Sequence, residues 1–204
     1  MLLNNELLRN RVRLLGSFLG EAISRQSGKD TVDTIEILRS GFIQERRQHN
    51  AKNKQQLIEL IASLDNQTLK NVIRAFSIYF FLANLTEENY LREQRRIQRA
   101  ESNQSWEGSF RRTLLECRER NIEPAQIKEL IDQLKFMPVF TAHPTEARRR
   151  TTMNILQTLY QHSDALNDLP EESQAYEQAK QKTAETIDLL WSSDEVRTRK
   201  PLVY

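Results

Sequence analysis

One cysteine in the whole chain, Cys117, leaves no internal disulfide to form and fits a reducing compartment. Glycine and proline are scarce, five of each in 204 residues, so little punctuates the chain into turns and short strands. An excess of one charge is missing as well. Thirty Lys and Arg face 28 Asp and Glu, a net charge of +2, and bulk charge makes no case for nucleic acid or an anionic membrane. No apolar run reaches the roughly 20 residues that cross a bilayer. The opening Met1–Leu2–Leu3–Asn4–Asn5–Glu6 lacks a basic segment followed by an apolar core, so the expectation is a cytoplasmic protein. Repeats and low-complexity tracts are absent.

What the chain does have is Leu, Glu, Gln, Arg and Lys in helical periodicity. A first helix is expected from about Asn5 to Gln26, with Leu8, Val12, Leu15, Leu19 and Ile23 on one stripe. Gly16 and Gly20 are placed for a close crossing. Gly28 reads as a stop, and a second helix carries Val32, Ile35, Leu38 and Phe42 before a polar loop from Gln48 to Asn53. A third spans Lys54 to Leu64. Asp65 then caps a long fourth, whose stretch Ser77 to Leu82 is apolar nearly all round and should be buried on several sides. The charged run from Leu91 to Arg99 reads as a solvated helix end, since a nucleic-acid surface would want interleaved aromatics. A link is expected over Ala100 to Gln104, then a helix from Ser105 to Arg120 with Trp106, Phe110, Leu114 and Cys117 inward. Pro124 suits the first position of a short helix. Beyond Pro170 a last helix runs from Glu171 to Trp191.

One stretch differs in kind. Phe136–Met137–Pro138–Val139–Phe140–Thr141 is a short apolar run with β-branched and aromatic members, and it predicts a strand. Ala142–His143–Pro144–Thr145–Glu146 follows, with Thr145 as cap of a helix that fades near Asn167. A strand end feeding a helix is where α/β proteins place chemistry, and His143, which titrates near neutrality, sits there. Residue chemistry alone ranks structure above catalysis, because a single histidine, a proline and a capping threonine all have plain structural explanations.

The segment from Val139 to Thr151, with its Thr141–Ala142–His143–Pro144–Thr145–Glu146 core and the Arg149–Arg150 pair, resembles the active-site histidine motif of the phosphoenolpyruvate carboxylase family. Departures fall at Ala147 and Arg148, in the variable pair. Ala75 to Asn89, with Phe76 and Leu82–Ala83–Asn84, is similar to the family's F-x-x-x-x-x-L-A-N-x-A-E-x helix, and Trp191–Ser192–Ser193–Asp194–Glu195–Val196–Arg197 to its W-x-T-D-E-I-R motif, with Ser193 for threonine. Leu14–Leu15–Gly16 through Leu19–Gly20–Glu21 and Thr34 to Arg39 match its early helices, so the resemblance spans nearly the whole chain.

The resemblance implies a mainly α chain: a helical region over 1–134, then over 135–204 the first strand and following helices of a truncated phosphoenolpyruvate-type (β/α)8 barrel. It implies a carbon-fixing lyase that joins phosphoenolpyruvate and bicarbonate to give oxaloacetate and phosphate, without biotin and with Mg²⁺ or Mn²⁺. Bicarbonate attacks phosphorus, giving carboxyphosphate and an enolate, and His143 deprotonates carboxyphosphate to release CO2 beside the enolate. Arg149, Arg150 and Arg197 match arginines that bind a sugar phosphate or sulfate in plant-type members. For Arg149 and Arg150 the plain alternative is a solvated helical face, paired to Glu146 three and four residues earlier. The resemblance also implies that the metal-binding carboxylates, the catalytic lysine and the substrate-phosphate arginines lie downstream of this segment, and nothing here has the spacing to replace them. The lone strand also lacks a neighbour for its backbone hydrogen bonds. The expectation is therefore a segment inactive by itself, from a protein that forms homotetramers when intact and has no nucleic-acid or membrane partner. The competing reading is a free-standing helical interaction module without catalysis.

Overall fold

The structure is a computed structural model that describes residues 5–102, 108–139 and 149–193. They form helices α1 (Asn5–Ser27), α2 (Lys29–Gln48), α3 (Ala51–Ser63), α4 (Asn66–Ser102), α5 (Phe110–Glu119), α6 (Pro124–Gln133), α7 (Arg150–Asp168) and α8 (Gln174–Ser192). No strand occurs among the described residues, so the mainly α expectation holds.

Local chemistry sets most boundaries. α1 and α2 are separated by Gly28 alone, at φ +89°, where a Cβ would be strained. The Asn50 side chain accepts the N–H groups of Lys52 and Asn53, so α3 begins at Ala51 and not at Lys54. Asp65 Oδ1 accepts from Gln67 N and Thr68 N at the head of α4, as its position foretells. α4 has no Gly or Pro inside it and continues to Ser102, absorbing the first part of the expected link. Ser109 caps α5, which starts at Phe110 and not at Ser105; Trp106 lies outside the described residues. Glu123 and Gln126 form a reciprocal capping box around Pro124 at the head of α6.

The chain clusters into two compact units, Met1–Asn89 with Ala147–Tyr204, and Tyr90–Glu146. In the first, α7 packs on α8, α8 on α1, α1 on α2 and α2 on α3. Its main core joins Leu15, Leu19 and Ile23 of α1, Ile78 and Leu82 of α4, Leu159 of α7, and Ile187 and Trp191 of α8. A second cluster joins Leu38, Leu57 and Val72. The expectation for Ser77 to Leu82 holds only in part. Ile78 and Leu82 are buried, whereas Phe80 is 60% exposed, because its position turns it off the core stripe. Small hydroxyl residues let α7 and α8 approach: Ser163, Thr183 and Thr186 are buried, and both threonines return their O–H to their own helix backbone.

In the second unit α5 and α6 bury none of their residues. Phe110 and Leu114, expected inward, are exposed, as are Leu130, Ile131 and Leu134. These helices keep an apolar stripe with nothing among the described residues of the unit to cover it. The same holds for the expected strand. Residues 136–139 belong to no strand, with Phe136 92% and Val139 81% exposed, because a strand without a ladder partner gains no hydrogen bonds. Phe140 and Thr141 lie outside the described residues.

Candidate functional site

His143 and Arg197, like Thr145 and Glu146, lie outside the described residues. Arg149 and Arg150 stand at the head of α7. Arg149 is its N-cap, with extended backbone at φ −68° and ψ 142°, and its carbonyl accepts Met153 N at 3.1 Å. The described helix therefore begins after Arg149, where the sequence pointed to a cap at Thr145. Arg150 is exposed. The first turn of α7 carries no acidic residue, and the positive end of a helix beside two arginines is a region favourable to anions.

The end of α8 meets this region. A small void of about 20 Å³ is lined by Arg74, Ile78 and Phe81 of α4, Thr152 and Leu156 of α7, and Leu190 and Ser193 at the end of α8. That is room for a single water. Thus Thr152, two residues past Arg150, and Ser193, four residues before Arg197, share one wall. Arg74 ties the junction: its Nη2 donates to the carbonyls of Leu190 and Ser193, and its guanidinium lies over the Trp191 ring. Sequence reading missed Arg74, and no local pattern marks it, since these acceptors lie 116 and 119 residues away. A second arginine does the same for α7, with Arg11 Nη2 donating to the Leu166 carbonyl at 3.1 Å. Charge at these helix C-termini is favourable.

Other polar links brace the same unit. Arg25 pairs with Asp188 at 2.8 Å, Gln26 Nε2 donates to Asp188 O and Oδ1, and Trp191 Nε1 donates to Ser27 Oγ at 3.2 Å. His162 Nδ1 lies 3.0 Å from Thr186 Oγ1, whose own hydrogen goes to Lys182 O, so the ring nitrogen is the donor. No group of three or more His, Cys, Asp or Glu that could hold a metal occurs among the described residues. No helix among them is long and apolar enough to cross a membrane.

Comparison with known proteins gives this geometry a family. A family model described as phosphoenolpyruvate carboxylase matches residues 8–204. The chain is 32% identical over 196 residues to a phosphoenolpyruvate carboxylase of Rhodopseudomonas palustris strain BisA53, covering 95% of this chain and 20% of that protein. It is 32% identical over 201 residues to one from Alcanivorax borkumensis, covering 97% and 22%. Against one from Histophilus somni it is 28% identical over 197 residues, covering 95% and 22%. The chain thus spans about a fifth of the length of the curated relatives it matches. Since the match runs from α1 past the end of α8, through every helix described above, the chain belongs to the phosphoenolpyruvate carboxylase family.

Proposed function

We propose that this chain is the N-terminal part of a phosphoenolpyruvate carboxylase that forms oxaloacetate and phosphate from phosphoenolpyruvate and bicarbonate, and that the 204 residues by themselves are inactive. The observation carrying this is the Thr141–Ala142–His143–Pro144–Thr145–Glu146 motif inside a family match of residues 8–204. In this reading residues 136–141 become the first strand of a (β/α)8 barrel once neighbouring strands are present, and His143 stands at its carboxyl end, on the catalytic face. The exposure of Phe136, Met137 and Val139 supports it, since such residues need a partner surface.

His143 acts as the base that takes the carboxyl proton of carboxyphosphate, so that CO2 is released beside the enolate. Its neutral imidazole is well populated at neutral pH, as that step requires. Arg149 and Arg150, with Arg197 beyond the end of α8, form an effector site for a phosphate or sulfate. Its support is the shared wall between the head of α7 and the end of α8. The described residues offer no carboxylate or imidazole cluster for Mg²⁺ or Mn²⁺, and the reading puts those ligands outside this segment, with no biotin needed. The intact enzyme is a cytoplasmic homotetramer.

Two assays test it. The 204-residue chain, given phosphoenolpyruvate, bicarbonate and Mg²⁺, should form no oxaloacetate, and turnover would refute the inactive-segment part. In the longer carboxylase, His143→Asn should abolish oxaloacetate formation while phosphate release continues, because the histidine acts after phosphoryl transfer. Retention of carboxylation would remove His143 from the mechanism.

A further inference from the structure

Between α1, α2 and the first part of α4, all within one unit, runs a groove of about 410 Å³, well inside the range of small-molecule sites. Its two ends differ. Gly16 faces Tyr79, whose Cε2 would lie 3.5 Å from a Cβ at that glycine. Arg39 is held above its ordinary pKa chiefly by its hydrogen bond to Glu36, with Tyr79 contributing. Tyr79 and Arg39 line this groove together, and Arg13, one turn before Gly16 on α1, lines the same end of it. The other end is apolar, walled by Leu19, Ile23, Val32 and Ile35. Over Gly20, between them, nothing comes within 4 Å of where a Cβ would stand.

The charged groups lining the groove are Arg13, Arg39 and Glu36, so one positive charge is left in excess. Glu36 engages Nε and Nη2 of Arg39, which leaves Nη1 to a ligand. Arg13 uses Nη1 on Asn10. We propose that this groove binds a free small amphiphile with one negative charge, its acidic head between Arg13, Arg39 and Tyr79 and its apolar body over Gly20 towards Ile23 and Val32. Charge complementarity selects the occupant: the net charge is matched by one carboxylate, and an apolar wall of this kind favours an unfunctionalised tail. The proposal is independent of the carboxylation reading, because none of these residues belongs to it.

The test is a titration of the ¹⁵N-labelled 204-residue chain with decanoate, read at the glycine amides. Saturable shifts at Gly16 and Gly20, with none at Gly108, are the expected result. Gly20→Leu should fill the groove and abolish the Gly16 response while circular dichroism stays unchanged, since leucine is a good helix former. Arg13→Gln should weaken binding about threefold, the scale of an exposed charge pair, and Glu36→Gln should tighten it. Decanol should bind more weakly than decanoate, and phosphatidylcholine–phosphatidylglycerol vesicles should not retain the chain. Binding that survives Gly20→Leu, equal affinity for decanol, absence of saturable shifts, or retention on the vesicles would each overturn the proposal.

Discussion

The guanidinium carbon of Arg74 lies 5.1 Å from the centroid of the Trp191 ring, while its Nη2 stands 3.4 Å from the Leu190 carbonyl. One side chain thus holds the indole face and the backbone end of the same helix. Arg74→Leu should lose both, at a cost of about 2–3 kcal/mol for the charged hydrogen bonds and the cation–π contact. Arg74→Lys should recover part of this, because an ammonium keeps the charge but not the planar fork. Urea unfolding of the three chains checks the order.

Three glycines should respond differently to alanine. A Cβ at Gly41 would come 2.5 Å from Leu57 Cδ2, a buried side chain, so Gly41→Ala pits an overpacking cost of about 1–3 kcal/mol against a helix-propensity gain of about 1 kcal/mol. A net loss is expected. Gly20→Ala meets nothing within 4 Å and should stabilise. Gly28→Ala should destabilise through its φ of +89°. Thermal melts of the three variants would rank them.

Asp65 carries a pH dependence. Hydrogen bonds from the Thr68 hydroxyl and from the Thr68 and Gln67 N–H groups hold its carboxyl below the ordinary value of 3.8. A depressed folded-state pKa means that the stabilisation is fully present above the ordinary value of 3.8 and is lost as pH falls from there through the lower folded-state value. Asp65→Asn should therefore melt below the parent chain at pH 7, and the gap should close as pH drops below about 4. A gap that is constant from pH 7 to pH 2 would remove the charge from the account.

Core and surface apolar residues should behave oppositely. Ile187 is fully buried, and Ile187→Ala should cost about 2–5 kcal/mol in chemical unfolding. The double change Phe136→Ser with Val139→Ser touches residues more than 80% exposed and should leave the melting temperature unchanged. It should also lower self-association in sedimentation velocity, because it removes part of an exposed apolar patch.

The helices were legible because their signals are local. The stripe of Leu15, Leu19 and Ile23 is the stripe that the core uses, Asp65 caps α4, and Pro124 takes the first position of α6. The inward face of α5 was misread because periodicity marks Phe110 and Leu114 as a stripe without saying whether a partner exists to cover it. The strand failed over 136–139 for a related reason, since strand pairing is supplied by other chain segments and β-branched residues cannot provide it alone. At the candidate site, Arg149 and Arg150 could be singled out from the motif. The convergence of the α7 head with the α8 end could not, since Arg74 reaches its acceptors across more than half the chain.

Trp191 donates to Ser27 across 164 positions, and the oily side of α1 is closed by α8. α2 and α4 cover part of that side, but the face of Leu15, Leu19 and Ile23 closes fully only once α7 and α8 have joined it. Contacts this distant in sequence make closure of the unit a late step of its folding, with an apolar face open to misassociation until it occurs.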